Sequence, residues 1–176
     1  MRRLGARRLR RGHAVVLCAM AWSACATSIT LRDWVYADDQ VRYRVGALPS
    51  AWRPIEVPEG QVSFHDPQRG ATLLAFAECR RGDAPLTARR GHLLIGWTDR
   101  KVEREERFTL DGREALRTRL RASIDGVARA LEIVVVKKDT CSFDFVYSAP
   151  PAQFAAGRPD FDAFVRGFAK LPTEAP

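Results

Sequence analysis

At 176 residues, 46% of them apolar and 28% charged, the chain is long enough for one domain with a sizeable core and too short to argue for two. The formal charge of +8 invites a nucleic-acid partner, but Arg2, Arg3, Arg7, Arg8, Arg10 and Arg11 all lie in the first dozen residues, and residues 25–176 carry 23 basic against 21 acidic side chains. The basicity belongs to the leader, so the domain itself offers no general footprint for nucleic acid.

Residues 1–24 have the layout of a secretory signal peptide: an Arg-rich start, a short apolar run from Ala14 to Trp22, then small residues before a cysteine. The run falls short of the roughly 20 apolar residues needed to cross a bilayer. Ser23-Ala24-Cys25 resembles the bacterial lipobox, with Trp22 standing where Leu is usual, and Cys25 is the expected lipidation site. Cys18, preceded by Leu17 but set inside the apolar run, is the poorer alternative. Simple secretion and an uncleaved anchor are the competing readings, and all three place the domain outside the cytoplasm. Acylation on more than one chain gives stable membrane anchoring. Ala26, in place of the Asp that retains enteric lipoproteins in the inner membrane, points to the outer membrane facing the periplasm.

With Cys25 lipidated and Cys18 removed, Cys79 and Cys141 remain, an even count in an oxidising compartment. A bridge between them closes a loop of about sixty residues, worth roughly 4 kcal/mol on the chain-entropy model. Two buried thiols packing as small apolar groups is the alternative.

Residues 25–40 show no sustained period and read as a lipid-anchored tether, with Trp34 and Tyr36 touching either the bilayer interface or the domain. The domain is expected over 41–173. Val41, Tyr43 and Val45 alternate with Arg42 and Arg44 as in a half-buried strand. Leu48, Trp52 and Ile55 are expected as core plugs of the irregular segment after it. Two strands, Val62 to His65 and Thr72 to Glu78, flank the turn-rich Asp66-Pro67-Gln68-Arg69-Gly70, and the second is apolar on both faces, as a covered central strand would be. Asp83-Ala84-Pro85 opens a helix whose Leu86, Leu93, Leu94 and Trp97 share a face as far as Thr98.

Arg107 to Tyr147 reads as three consecutive antiparallel strands. A three-residue Leu110-Asp111-Gly112 loop would set Thr109 against Arg113, Glu105 against Arg117 and Glu103 against Arg119. A two-residue Asp125-Gly126 turn would pair Ile124 with Val127, Leu120 with Leu131, Leu116 with Val135 and Arg119 with Glu132. A Lys137-Lys138-Asp139 loop would place Cys141, Phe143 and Phe145 opposite Val135, Ile133 and Leu131, making one face almost wholly apolar. The other face turns apolar at Ala128, Ala130, Val134, Val136 and Val146, and the helix from residue 86 is expected to cover it. Phe161, Phe164, Val165, Phe168 and Leu171 follow helical spacing, with Asp160 as the cap. The expected fold class is α+β, an antiparallel sheet of about six strands with helices packed against it.

Tyr43, Pro49 and Trp52, then Phe64, Asp66, Pro67 and Gly70, then Leu110-Asp111-Gly112-Arg113-Glu114-Ala115, and last Phe161, Phe164 and Phe168 give the chain a pattern that resembles the PsbP-like fold over residues 40–171. These motifs are turns and core plugs. The resemblance implies a domain that acts by binding, without shared catalytic residues, so no functional position carries over.

His65-Asp66 could be half of an acid/base pair or of a metal site, yet no His-x-x-x-His, Cys-x-x-Cys or Glu-x-x-His spacing accompanies it. A turn-flanking histidine is the simpler reading. No Gly-x-Ser-x-Gly elbow or phosphate-cradling glycine loop is present. The stripe Arg117, Arg119 and Arg121 could hold an anion, but its expected glutamate partners favour a self-neutralised face. Arg80, Arg81, Arg89 and Arg90 have fewer acidic neighbours and are the candidate surface for an anionic headgroup or acidic partner. The expectation is a non-enzymatic binding or scaffolding lipoprotein of the cell envelope, needing no cofactor or metal and engaging an envelope protein. The alternative is a carrier of a small apolar or lipid-like ligand held by Trp97, Phe164 and Phe168.

Overall fold

In the computed structural model, residues 33–56, 61–79 and 84–173 are described; the leader, Cys25, Arg80, Arg81 and Asp83 lie outside them. The chain runs β1 (Val35–Ala37), β2 (Arg42–Arg44), β3 (Arg53–Ile55), β4 (Gln61–Asp66), β5 (Ala71–Cys79), α1 (Leu86–His92), β6 (Thr98–Leu110), β7 (Arg113–Ile124), β8 (Val127–Lys138), β9 (Cys141–Ala149), α2 (Phe154–Arg166) and β10 (Ala169–Leu171). Seven strands form one antiparallel sheet in the order β3-β4-β5-β9-β8-β7-β6, and a second sheet has the order β1-β2-β10. The α+β class stands, with seven strands in the main sheet rather than about six and a small sheet beside it.

That small sheet corrects the expected tether. Residues 35–37 pair with β2, Tyr36 is almost fully buried, and its ring lies 5.1 Å from that of Tyr43. Trp34 and Tyr36, two residues apart, are better buried against Phe64 and Tyr43 than left in water, so the folded unit takes in the end of the supposed tether. Ile55, in contrast, is exposed on edge strand β3 rather than plugging the core, whereas Leu48 and Trp52 are buried as expected.

The hairpins decide which side chains meet. At Asp125-Gly126 both residues have positive φ, and the β7/β8 register is the expected one: Ile124 with Val127, Leu120 with Leu131, Arg119 with Glu132. Asp111-Gly112 also takes positive φ at both positions and is a two-residue turn, so Leu110 pairs with Arg113. From Arg104 to Leu110 the β6/β7 pairs are therefore one residue off the expected register: Glu105 meets Thr118 and Glu106 meets Arg117, while Arg104 stands opposite Arg119. The third turn is Asp139-Thr140, pairing Lys138 with Cys141, a shift of three from the expected loop. An odd shift moves a strand's side chains to the other face. Phe143 and Phe145 accordingly lie beside Val136 and Val134, and Val146 beside Ile133.

The sheet is consequently apolar on both faces. One face carries Leu120, Ala122, Leu131, Ile133 and Val135, covered by Leu86, Leu93 and Leu94 of α1 and the turn after it. The other carries Ala115, Val134, Val136, Phe143, Phe145 and Tyr147, covered by Phe154, Phe161, Phe164 and Val165 of α2. The helix from residue 86 thus covers the opposite face from the expected one. It is also shorter, since the chain leaves helical geometry after His92 and turns through Gly96. Helix α2 begins at Phe154, six residues before the expected cap, and takes Pro159 within it. Asp160 instead accepts a hydrogen bond from the Trp52 indole at 2.9 Å, tying the N-terminal segment to the helix.

Glycine permits one further junction. The Gly46 N–H donates to Phe164 O at 2.9 Å, and a Cβ on Gly46 would lie 2.1 Å from Ala163 O. The small sheet meets the end of α2 at that point.

Candidate functional site

His65 and Asp66 are adjacent on β4 but their side chains are not brought together. Successive residues on β4 point to opposite faces, and Asp66 is buried, receiving the backbone N–H groups of Gln68 and Arg69 and the Arg69 guanidinium at 2.7 Å. Its carboxylate shapes the turn before β5. Trp97, Phe164 and Phe168 are likewise not brought together: Trp97 packs with the α1 face, whereas Phe164 and Phe168 lie in the α2 core. There Phe168 lies 4.8 Å from Phe143 and 5.2 Å from Phe145, ring centre to ring centre, within the aromatic core under α2.

Of the four arginines expected to face a partner, Arg80 and Arg81 lie outside the described residues. Arg89 and Arg90 point from α1 towards the sheet. The Arg89 guanidinium donates to Asp144, itself 1% exposed, at 2.9 Å, contacts Glu78 and lies over the Phe76 ring. Burial raises the Asp144 carboxyl to about 6, against the opposing pull of the Arg89 hydrogen bonds, while those bonds hold Arg89 charged. Arg90 reaches Glu105 at 3.4 Å, and Glu105 also accepts the Thr118 hydroxyl at 3.0 Å. These pairs fasten a seven-residue helix, too short to be stable alone, onto the sheet. Arg89 and Arg90 are thus part of the fold's own ion-pair system.

Cys79 and Cys141 are bonded, with an S–S distance of 2.06 Å, across the paired strands β5 and β9. The bridge stands at the end of the hydrogen-bonded ladder, where it links the two strands covalently.

The arginine stripe has a different fate. Arg117, Arg119 and Arg121 share the α2 face of β7, because they stand opposite Val134, Glu132 and Ala130. Glu132 has 0% exposure, and three guanidinium groups converge on it: Arg119 at 3.3 Å, Arg158 of α2 at 3.4 Å and Arg117 at 3.6 Å. Asp162 of α2 takes Arg117 at 2.8 Å and Arg158 at 3.7 Å. Arg121 pairs with Glu103 at 2.7 Å. The pairing of Arg119 with Glu132 is legible in the sequence; the roles of Arg158 and Asp162 are not, because the expected helix starts after the first of them. The available signal is Glu132 itself, a lone carboxylate inside the apolar run Leu131 to Val136, which can be buried only among cations.

Among the described residues, no group of three or more His, Cys, Asp or Glu side chains could hold a metal ion, and no helix is long and apolar enough to cross a membrane. The domain is a twin-faced antiparallel sheet clamped by two helices, whose polar clusters join one element to another. Structural comparison gives this architecture its family likeness: the chain has a PsbP-like fold. It is similar to cyanobacterial PsbP (CyanoP) from Synechocystis, with a TM-score of 0.56 and 16% identity over 78% of this chain and 91% of that one. It is also similar to LpqN, involved in cell envelope biogenesis in Mycobacterium tuberculosis, with a TM-score of 0.55 and 17% identity over 76% and 87% of the two chains. A third neighbour is PA94 from Pseudomonas aeruginosa, a protein of unknown function, with a TM-score of 0.54 and 16% identity over 79% and 97%. No family model matches the sequence, and no curated protein matches it.

Proposed function

We propose that this chain is a non-enzymatic binding or scaffolding module of the bacterial cell envelope, held at the membrane through a lipid on Cys25. The fold carries the reading: it is the architecture of CyanoP and of the envelope-biogenesis protein LpqN. The side chains agree with it. His65 and Asp66 point to opposite faces of β4, and the buried carboxylates Asp66, Glu132 and Asp144 hold arginines that join parts of the fold, Arg69 reaching on from Asp66 to Asp160 of α2. A domain built this way acts through its surface, and the signal-like leader with its lipobox supplies the address.

Affinity purification of the full-length chain from membranes, with its own anchor, followed by mass spectrometry, tests the partner. A specific envelope protein recovered in stoichiometric yield supports the reading, and recovery of none overturns it. Radiolabelled palmitate should enter the wild-type chain and fail to enter Cys25→Ser.

A further inference from the structure

The ion pairs beneath α1 are closed by more carboxylates than arginines; those beside α2 are not. Arg117, Arg119 and Arg158 share two acids, Glu132 and Asp162, which leaves the cluster with one excess positive charge. Only the Arg117–Asp162 contact is a short hydrogen bond, and Glu132 is divided among three cations at 3.3 to 3.6 Å. The Nε atoms of Arg117 and Arg119 are buried with no hydrogen-bond partner, and that of Arg158 has only a long contact to Glu132, at 3.4 Å. A buried donor on a charged group without an acceptor is costly; Arg90 under α1 has one as well, but only here do such donors adjoin a cluster with more cations than acids. Arg104, directly opposite Arg119 on the edge strand, is itself paired with Glu106 at 2.6 Å, so the two add no net charge and the excess of one stands.

The cluster is open where it would have to be. Arg119 and Arg158 keep 23% and 40% of their side-chain surface exposed, while Glu132 seals the floor. Arg117 lies over the Phe108 ring and Arg119 over that of Phe154, contacts that hold the guanidinium planes in place. Arginine forks held in fixed planes match phosphate oxygens in geometry as well as charge. We infer that Arg119 and Arg158, backed by Arg117, form a binding site for a phosphoryl group, carried either by free phosphate or by an anionic lipid headgroup. A phosphodiester brings one negative charge, which is the charge the cluster lacks. The inference does not depend on the proposed envelope scaffold role, since free phosphate tests it wherever the chain resides.

The test is thermal unfolding of the full-length chain in a non-ionic detergent, with inorganic phosphate titrated at constant ionic strength against chloride. A saturable rise in Tm with phosphate is expected, weakened at least tenfold in apparent affinity in Arg119→Gln and Arg158→Gln and kept in Arg53→Gln, an exposed arginine on β3. An equal rise in chloride, or a response unchanged in both variants, overturns the site. Dihexanoylphosphatidylglycerol, with dihexanoylphosphatidylcholine as the neutral control, separates the sources. A response to phosphatidylglycerol alone assigns a headgroup, a response to phosphate alone a soluble anion, and a response to neither rejects the site. If the variants do not fold, the Nε–H resonances of Arg117, Arg119 and Arg158 in the wild-type chain carry the test: they shift together on phosphate addition, or the site is absent.

Discussion

The Arg89 Nε on α1 donates to both oxygens of the Asp144 carboxylate on β9, at 2.9 and 3.3 Å. Burial nonetheless raises that carboxyl to about 6, against roughly 3.9 in an unfolded chain. Between those values the folded chain keeps a proton that the unfolded chain releases, so stability falls as pH rises through the window. A difference of about two pH units corresponds to roughly 3 kcal/mol. Chemical denaturation from pH 4 to pH 7 should show the wild-type chain losing about 2 to 3 kcal/mol relative to Asp144→Asn, which lacks the titration. A relative gain would mean that the Arg89 pair outweighs burial.

The bridge between Cys79 and Cys141 makes a separate prediction. It spans 62 residues of sequence, for which the chain-entropy model gives about 4 kcal/mol, mainly by restricting the unfolded state. Reduction, or replacement of both cysteines by Ala, should lower the unfolding free energy by about 3 to 4 kcal/mol while leaving far-UV circular dichroism unchanged under native conditions. A thiol titration of the unreduced, denatured chain should detect neither cysteine.

The turns show where the fold is legible in the sequence and where it is not. Asp125-Gly126 has the residues that two successive positive-φ positions demand, and it sets the β7/β8 register without help. Asp111-Gly112 has the same chemistry, but a sheet with a single apolar face requires an odd loop there, and that requirement brings Glu105 and Arg117 together wrongly. Asp139-Thr140 has no glycine, so the sequence marks the turn too early and sends Phe143 and Phe145 to the wrong side. With apolar residues on both faces, the side-chain pattern cannot choose between them, and only the turn can. The helices are obscured for local reasons: Pro159 hides the first turns of α2, and nothing in a seven-residue α1 distinguishes it from a longer helix except the turn after it. The Arg89–Asp144 and Arg158–Glu132 contacts join residues far apart in sequence and depend on that hidden placement.

Two glycines around α2 should differ in their tolerance of a methyl group. A Cβ on Gly46 would meet backbone, Ala163 O at 2.1 Å, which cannot move without displacing the helix. A Cβ on Gly157 would meet the Tyr147 hydroxyl at 2.5 Å, the end of a side chain that donates to Phe154 O and can swing at the expense of that bond. Overpacking typically costs about 1 to 3 kcal/mol. Gly46→Ala is expected at or above about 3 kcal/mol and Gly157→Ala nearer about 1 to 2, measured by urea denaturation. Hydrogen exchange should show the Gly46 change exposing β1, β2 and β10 first, because that junction joins the small sheet to α2.

Glu132 supplies the sharpest stability prediction because three guanidinium groups depend on one buried carboxylate. Glu132→Gln keeps the shape and removes the charge, leaving Asp162 as the remaining acid for Arg117 and Arg158. Breaking a buried pair on one side typically costs about 3 to 5 kcal/mol. Arg119 and Arg158 can turn partly to water, so a loss of about 2 to 3 kcal/mol is expected here. The double variant Glu132→Gln, Arg119→Gln should lose less than the sum of its single changes, since removing one cation relieves the repulsion that the first change creates. Charge balance also sets the direction of a binding effect. With Glu132 neutral, the excess charge rises from one to two, so phosphate should raise the Tm of Glu132→Gln more than that of the wild-type chain. An ion-pair network serving only to hold α2 to the sheet would show the stability loss without that increase.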